Sequence, residues 1–522
     1  MDVLIPPDIP IAEIEWRILD NTAVSTSPLN GVTTTFTRPG TRWGARLSFR
    51  NLKDRDRARL LAIIAAVRGR SGRVYFTSAA DPARTGGYSF PELFTNADFA
   101  SGVTGWSQSA AALSVSDRVM RITATSIAAP CIYQNPAVTQ YAPLIVRGFA
   151  GARSRNGTFI GTSADGISNY ATDAQGMVAQ SWVPLSAFAG NTFPIVHNAS
   201  GNAGLVGDWL DTPFVSLSRC ALVDNGPNAL LYSDQIDNAA WTKANVTITA
   251  NGATAPDGTT TADAIVENSA TSQHYVQQSV ARASAAEDIC AYGYFKRGAG
   301  ARNIRLIAGD SSLSNYGQAY FDLGAGTVSA GSINGSATNP RAFIRAAGDG
   351  WYFCSVVVRL PTSTGLTNYA DLTDGTTTGY TGDGTSSVYA WRLGAARSGV
   401  PTRGALTTAT ALASGATQTG SGLYLKGLPV STQNIRAAGD MVEIILPTGS
   451  QLVRLTAALD SDAAGLGYLQ FENPVRTSPA DNAAVIFNQP MMRGILSEGP
   501  MWPTRPGLFS DFDLDLIEDI AP

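Results

Sequence analysis

The sequence predicts a mainly β protein, in which a split β-rich scaffold domain with one helix carries two inserted β-sandwich modules. Three observations lead to this fold class. Charged residues make up only 15% of 522 residues, while glycine (52) and proline (27) are abundant, and this composition suits short strands joined by turns. The middle of the chain contains an internal repeat. A predicted strand with basic residues lies near the N-terminus, and one with acidic residues lies near the C-terminus. The length also exceeds that of a single hydrophobic core.

Residues 1–90 are predicted to form the first part of the scaffold domain. Apolar and charged residues alternate over 13–18 and again over 42–50, which is typical of strands with one buried face. A helix is predicted from about Asp54 to Arg68. Its apolar positions recur at helical spacing: Leu60, Ile63, Ile64 and Val67. The chain then returns to a strand at Val74.

Two related β-sandwich modules are predicted at 91–227 and 228–403. Short matching segments recur in the same order in both copies, and each copy has the size of a single domain. Four tryptophans occupy shared positions, and shared positions predict packing roles in the core. They are Trp106 and Trp182 in the first copy, and Trp241 and Trp351 in the second.

Residues 404–522 are predicted to complete the scaffold domain. Their last strand alternates apolar and acidic residues, with Asp511, Asp513 and Asp515 on one face. The early strand presents basic residues on its polar face: Arg42, Arg46 and Arg50. Opposite charges on neighbouring strands stabilise a sheet, so the two ends of the chain are predicted to pair. The alternative is two separate end domains with solvated charges.

Composition also limits the function. The net charge is −4 with both signs scattered, which predicts no nucleic-acid surface. No apolar run approaches the roughly 18 residues of a membrane span, and no secretory signal is predicted at the N-terminus. Four widely spaced cysteines are interpreted as small buried hydrophobes, with disulfides Cys131–Cys220 and Cys290–Cys354 as the alternative.

No catalytic constellation is evident, so the chain is predicted not to be an enzyme and to need no cofactor. The two histidines, His197 and His274, lie far apart, and no nucleophile elbow or phosphate-binding loop is present. A spatially assembled triad stays open. Two groups of carboxylates could support glycan cleavage. The first, Asp257, Asp263 and Glu267, is interpreted as solvated.

The second carboxylate group, Asp371, Asp374 and Asp383, lies in the oxygen-rich loop 371–384. Two tyrosines that have no counterpart in the first module flank this loop. Sugar rings stack on aromatic faces beside polar groups, so this loop is the candidate ligand-binding site. Its predicted residues are Tyr369, Tyr380, Asp374 and Asp383. Calcium also prefers such oxygen ligands, but the EF-hand order and its closing glutamate are missing. No metal is therefore predicted, and a calcium ion stays an alternative.

Several segments resemble tail proteins of long-tailed bacteriophages, in particular distal tail or baseplate-hub components. In the N-terminal part they are Pro7-Asp-Ile-Pro, Thr37-Arg-Pro-Gly-Thr-Arg-Trp and Val74-Tyr-Phe; in the C-terminal part they are Ala438-Gly-Asp-Met-Val, Asn473-Pro-Val-Arg, Pro479-Ala-Asp-Asn and the final strand. The second module, through Leu230-Leu-Tyr-Ser-Asp-Gln-Ile-Asp and Ala255-Pro-Asp-Gly-Thr, resembles a jelly-roll module common in phage tail and spike proteins. The first module lacks the Ala-Pro-Asp-Gly-Thr segment.

The resemblance implies a structural virion protein at the tail tip, assembled in the host cytoplasm. It implies a homo-oligomeric ring (a hexamer or a trimer), contacts with other tail proteins such as the tube, hub and fibres, and carbohydrate-binding-like modules that touch host-surface glycans. Two other readings stay open. They are a stand-alone glycan-binding adhesin and a glycan-degrading tail enzyme.

Overall fold

The computed structural model describes residues 2–6, 8–19, 23–26, 33–36, 42–67, 71–77, 90–126, 131–138, 142–151, 158–164, 167–172, 176–184, 195–197, 206–402, 407–408, 418–475, 477–497 and 509–519. Within these ranges the chain forms 37 strands and one α-helix. The prediction of a mainly β protein with one helix is confirmed. Across the same ranges, no helix has the length and apolar character needed to cross a bilayer.

The helix and the strands follow one another in chain order. The N-terminal segment contains β1 (Val3–Leu4), β2 (Glu13–Leu19), β3 (Ala23–Thr26), β4 (Thr33–Phe36), β5 (Arg42–Lys53), α1 (Asp54–Val67) and β6 (Val74–Thr77). The first module contains β7 (Ser107–Ser109), β8 (Ala111–Ser116), β9 (Val119–Ala124), β10 (Cys131–Tyr133), β11 (Leu144–Ala150), β12 (Thr158–Ala164), β13 (Ile167–Thr172), β14 (Gly176–Trp182), β15 (Ile195–His197), β16 (Trp209–Thr212) and β17 (Val215–Val223).

The second module and the C-terminal segment consist of strands. The second module contains β18 (Thr242–Ala244), β19 (Val246–Ala253), β20 (Ala262–Glu267), β21 (Thr271–Ser272), β22 (His274–Arg297), β23 (Asn303–Gly309), β24 (Tyr316–Asp322), β25 (Thr327–Val328), β26 (Ser332–Asn334), β27 (Thr338–Ala346), β28 (Tyr352–Thr373), β29 (Tyr380–Thr381) and β30 (Ser387–Ala396). The C-terminal segment contains β31 (Gly420–Lys426), β32 (Met441–Leu446), β33 (Gly449–Arg454), β34 (Gly467–Val475), β35 (Ala484–Ile486), β36 (Met491–Leu496) and β37 (Phe509–Glu518).

Strands from both ends of the chain form one six-stranded sheet, which we call the split sheet. Its order is β1-β6-β36-β37-β5-β2, so the last two strands, β36 and β37, lie together between β6 and β5 of the first 77 residues. Leu47, Phe49 and Leu514 are buried in its core. Helix α1 packs on this core through Leu60, Ile64 and Val67. The scaffold is therefore split in sequence and continuous in space.

The predicted charge pairing between the two ends is confirmed for Asp513. This carboxylate accepts hydrogen bonds from Arg46 at 2.9 Å, from Arg50 at 2.7 Å and from the Ser48 hydroxyl at 2.8 Å. Asp515 lies 3.8 Å from Arg17. The remaining acid, Asp511, accepts instead from a backbone N–H of the early strand. The register of β37 on β5 thus concentrates the ion pairs on one carboxylate.

The Asp513 cluster predicts a specific acid sensitivity. Partial burial alone would raise the pKa of Asp513, but the Arg46, Arg50 and Ser48 hydrogen bonds hold it at about 2, below the ordinary 3.8. Ionised Asp513 therefore stabilises the fold above about pH 4, and this contribution is lost as the pH falls from about 4 to about 2. The side chain is 31% exposed, so solvent screening limits the effect to about 1 kcal/mol.

Urea unfolding at a series of pH values checks this prediction. The free energy of unfolding should fall more steeply between pH 5 and pH 2 in the parent protein than in Asp513→Asn, which cannot ionise. Asp511→Asn is the matched control on the same strand and should keep the parent slope. Equal slopes for the parent and Asp513→Asn would contradict the assignment of the low pKa.

The second module is a sandwich whose two layers share their longest strands. Strands β22 and β28 pair along most of their lengths, with register shifts between Ala281 and Glu287. One half of this pair joins β30, β20 and β19 on one side and β27 on the other. The other half joins β18 on one side and β23 and β24 on the other. One core lies between the layers, from Leu230 to Ala395.

Equivalent contacts support the duplication of the two modules. In the first module, the Gln134 amide accepts from the Thr95 backbone N–H at 3.0 Å and donates to its carbonyl at 2.7 Å. In the second, Gln278 makes the same two bonds with Leu231, at 2.6 and 3.0 Å. Each glutamine thus fixes the opening segment of its own module against a strand.

Three of the four shared tryptophans have the core role predicted for them. Trp106, Trp241 and Trp351 are 8%, 2% and 1% exposed. The indole N–H of Trp106 donates to the Asn96 carbonyl at 3.1 Å, and that of Trp241 donates to the Tyr232 carbonyl at 2.9 Å. The Trp182 side chain lies outside the described residues.

The C-terminal segment contributes to two sheets. Strands β36 and β37 complete the split sheet, whereas β31 and β35 pair with β17 of the first module. The sheet β14-β11-β17-β35-β32-β33 therefore runs from the first module into the C-terminal segment. Arg147 and Glu443, both buried, form an ion pair at 3.1 Å inside this sheet. The boundaries at 90, 227 and 403 stay predictions.

All four cysteines are buried and free, as the first interpretation proposed, and the alternative disulfides are not formed. Burial raises the pKa of Cys290 to about 12 and that of Cys354 well above the usual thiol value. These thiols stay protonated at neutral pH, so they behave as small apolar side chains.

Candidate functional site

Three of the four predicted ligand-binding residues lie around one guanidinium at an edge of the second module. Arg302 is 3.4 Å from Asp374 and 4.0 Å from Asp383, and its guanidinium carbon lies 4.5 Å from the centre of the Tyr380 ring. Arg302 directly precedes β23, and Asp374 directly follows β28. Tyr380 lies on β29, and Asp383 follows that strand. We call this group the Arg302 corner.

Glu267 is the centre of the Arg302 corner. It is buried and accepts two hydrogen bonds from Arg302, both at 2.8 Å. It also accepts from the Tyr380 hydroxyl at 2.6 Å and from the Asp383 backbone N–H at 2.8 Å. Burial alone would raise the pKa of Glu267, but the Arg302 and Tyr380 hydrogen bonds hold it below its usual value. A carboxylate held in this way is a structural anchor and a poor proton carrier.

The fourth predicted residue, Tyr369, belongs to a neighbouring buried cluster. Its ring stacks on Tyr275 with centroids 4.3 Å apart, and its hydroxyl donates to Gln273 at 3.2 Å. Beside it, Arg305 donates to the buried carboxylate of Asp371 at 2.8 Å. Burial raises the pKa of Asp371 to about 7. Residues 371–373 thus belong to strand β28 and not to a loop, and two Arg–carboxylate pairs, Arg302–Glu267 and Arg305–Asp371, lie near the end of this strand.

Burial changes what the predicted tyrosines can do. Tyr369 is 4% exposed and Tyr380 is 9% exposed, so neither ring presents a face on which a sugar could stack. Asp374 and Asp383 do reach the surface, with side chains 66% and 48% exposed. The role of these four residues in ligand binding stays a prediction, and stacking on the two rings is not part of it.

The carboxylate of Asp383 already accepts hydrogen bonds from donors of the chain itself. Asp383 accepts from the Ser386 hydroxyl and from the Thr385 and Ser386 backbone N–H groups. These bonds, the Ser386 hydroxyl first, hold its pKa well below the usual range. Within the described ranges, no cluster of three or more histidine, cysteine, aspartate or glutamate residues has metal-binding geometry.

The prediction that Asp257, Asp263 and Glu267 are solvated is wrong for two of them. Asp263 and Glu267 are each 1% exposed. Asp263 is stabilised inside the module because the backbone N–H groups of Ile236 and Asn251 donate to it at 2.6 and 2.9 Å. Asp257 remains near the surface, 3.4 Å from Arg392.

His274 packs against the Arg302 corner. His274 is buried, its ring lies 4.8 Å from Tyr380, and its Nε2 is 3.2 Å from the Asn268 carbonyl. The His274 ring therefore has a packing role in the Arg302 corner. The side chain of His197 lies outside the described residues.

A pair of exposed aromatic residues lies elsewhere, on the C-terminal segment. Tyr424 on β31 and Tyr468 on β34 are directly opposite each other in the register, and their ring centroids are 4.7 Å apart. They are 42% and 44% exposed. A Cβ added at Gly422 would lie 2.1 Å from the Tyr468 hydroxyl, so this glycine makes room for the ring. We call Tyr424 and Tyr468 the tyrosine pair.

Sequence reasoning missed the tyrosine pair, although alternation carried a signal for it. Leu423 and Leu425 flank Tyr424 and point into the core, and Leu469 follows Tyr468 in the same way. A period of two therefore places both tyrosines on the outer face. Large aromatic side chains are usually buried, so two of them on the outer face of neighbouring strands are unusual.

Neither a protein-family model nor a curated protein matches the chain. Among solved structures, the N-terminal CBM22-1-CBM22-2 tandem domain of Paenibacillus barcinonensis Xyn10C matches at 13% identity, with a TM-score of 0.22, over 60% of this chain and 98% of that one. A carbohydrate-binding module of the β-sandwich superfamily matches at 9% identity, with a TM-score of 0.18, over 56% of this chain and 98% of that one. Similarity at this level assigns no family.

Proposed function

We propose that the chain is a non-catalytic structural protein of a bacteriophage tail tip, a distal tail or baseplate component that forms a ring and presents its sandwich modules to host-surface glycans. The observation that carries this proposal is the split sheet. Both ends of the chain close one sheet, and everything between β6 and β36 is inserted into it. Such a plan suits a scaffold that holds modules in fixed positions. The motif resemblance at both ends supports the tail assignment.

The open edge of the split sheet is the proposed contact between subunits. Strand β2 pairs with β5 on one side, and no described strand pairs with its other side. The ring centroid of Trp16 on this strand lies 5.7 Å from that of Trp43 and 5.8 Å from that of Phe76. This packing holds the strand in place. Ile18 on the same strand is 44% exposed. An edge strand offers a row of backbone donors and acceptors, which a second copy can pair with to build a ring.

The tyrosine pair is a proposed glycan contact in addition to the modules. It lies on the C-terminal segment, where β31 pairs with β17 of the first module. Two rings on neighbouring strands offer apolar faces beside their own hydroxyl groups, which suits a sugar ring. A contact of this size is weak in a single chain. Copies arranged around a ring raise the effective concentration at a surface by orders of magnitude, so the particle would bind firmly where one chain does not.

The experiment measures mass and glycan binding on one sample. Light scattering and electron microscopy should show a ring of defined order, and a glycan array should retain the ring. Tyr424→Ala with Tyr468→Ala should weaken retention at least about tenfold, while the ring mass stays unchanged. Tyr424→Phe with Tyr468→Phe is the matched control, since it keeps both ring faces.

The other outcomes separate the competing functions. A strict monomer that still binds glycans would replace the tail proposal with an adhesin. New reducing ends appearing in host polysaccharide at catalytic rates would overturn the non-catalytic assignment. A ring that binds glycans equally with and without the two tyrosines would retain the scaffold and remove the tyrosine pair from the proposal.

A further inference from the structure

A cavity of about 570 Å³ lies where both modules meet the C-terminal segment. The first module contributes residues around Pro143 and Arg219, the second contributes residues around Arg341 and Pro401, and the C-terminal segment contributes 427–430. Cavities of this size at domain junctions are the usual setting for small-molecule sites. None of these residues belongs to the Arg302 corner or to the tyrosine pair.

The walls of the cavity are mostly apolar. Phe90, Phe343 and Leu428 line it together with three prolines. At one wall the backbone of Gly427 lies close to the Pro143 ring, because a Cβ added at Gly427 would be 2.3 Å from that ring. The thiol of Cys220 also lines the cavity, and burial raises its pKa far above the usual thiol value. The wall therefore suits an apolar ligand body.

The charged side chains among the described lining residues are two arginines, and each also interacts with another group of the chain. Arg219 and Arg341 both line the cavity, and the described lining residues include no aspartate or glutamate. Ser329 is the one hydroxyl among these lining residues. A guanidinium in an apolar surrounding binds carboxylate or phosphate through strong charge-assisted hydrogen bonds. A neutral sugar would find few hydrogen-bonding partners here.

Contacts around the cavity hold its three walls in fixed positions. The buried Lys426 lies 3.8 Å from Asp224 and 3.0 Å from Asp481, which ties the inter-module junction to the C-terminal segment. Arg345 of the second module lies 3.1 Å from Asp462. The Tyr292 hydroxyl donates to the Pro227 carbonyl at 2.8 Å. The cavity is therefore formed in the folded chain, which lowers the cost of binding.

We infer that this cavity is a binding site for a small amphipathic anion, a molecule with an apolar body and one acidic head group. The apolar walls receive the body, and the guanidinium groups of Arg219 and Arg341 receive the head. This inference is independent of the ring and of glycan binding, because the cavity is built within one chain.

Titration calorimetry on the full-length chain tests it with matched eight-carbon probes. Octanoate should bind at one site per chain, octan-1-ol should bind at least about tenfold more weakly, and octylammonium should bind more weakly still. Octyl phosphate separates the two head groups, and binding of either anion supports the site. Absence of octanoate and octyl phosphate binding at millimolar concentration, or equal affinity for octanoate and octan-1-ol, would overturn the inference.

Variants locate the site. Arg219→Met and Arg341→Met should each reduce octanoate affinity about tenfold or more, and Arg341→Lys should lose less because it keeps the charge. Ala330→Trp should abolish binding by filling the cavity, since Ala330 lines it and is exposed. Arg397→Met is the control, since Arg397 is 53% exposed, pairs with Glu287 and does not line the cavity. Unchanged affinity in both arginine variants, with unfolding midpoints showing that they are folded, would also overturn the inference.

Discussion

Replacing Arg147 with methionine is expected to lower the free energy of unfolding by about 3–5 kcal/mol, because it leaves the Glu443 carboxylate buried without its ion-pair partner. Arg147 is 1% exposed, and it lies 3.1 Å from Glu443. It also donates to the carbonyl groups of Asn488 at 2.8 Å and Gln489 at 3.1 Å. One side chain thus joins the first module to two parts of the C-terminal segment.

Urea unfolding of the variant and of a matched control measures this effect. Arg121→Met in the same module breaks an ion pair with Asp211 at 2.7 Å, but Arg121 is 47% exposed, so the control should lose at most about 1 kcal/mol. Adding Glu443→Leu to Arg147→Met should recover part of the loss, since it removes the unpaired charge. If Arg147→Met lowers the free energy of unfolding by less than about 1 kcal/mol, the Arg147–Glu443 pair does not stabilise the junction between the first module and the C-terminal segment.

Local patterns in the sequence predicted the parts of the fold that depend on neighbours in the chain. Helix α1 ends at Val67, one residue from the predicted end, because its apolar spacing is a local property. The pairing of the chain ends was also predicted, because charges of opposite sign marked both faces. Nothing comparable marked strands β31 and β35 as partners of β17. Arg147 lies in an otherwise apolar strand, and its buried partner is 296 residues away.

The candidate site shows the same limit. Asp374, Tyr380 and Asp383 were predicted together because they share one loop, and the structure does place them around Arg302. Glu267, the centre of that group, was interpreted as solvated because it follows a turn-rich segment. Its burial depends on Arg302 and Tyr380, which supply the hydrogen bonds that a buried carboxylate requires. A sequence without contacts cannot show that these partners converge.

Replacing Leu514 with aspartate is expected to unfold the split sheet while the second module stays folded. Leu514 is 2% exposed and lies opposite Leu47 in the register between β37 and β5. A carboxylate there would be buried among apolar side chains with no partner, which costs more than about 4 kcal/mol. The core of the second module consists of residues from 230 to 395, so it does not depend on the final strand.

Limited proteolysis with mass spectrometry, together with calorimetry, separates the two units. Leu514→Asp should yield a protected fragment that spans the second module, and the calorimetric transition of the split sheet should disappear while a second transition remains. Lys53→Ala, on β5 of the same sheet and with an exposed side chain, is the control and should change the free energy of unfolding by less than about 0.5 kcal/mol. Complete digestion of Leu514→Asp would mean that the second module depends on the scaffold for stability. The second module and the split sheet would then unfold as one cooperative unit. The modules would not be separately folded domains carried by a scaffold.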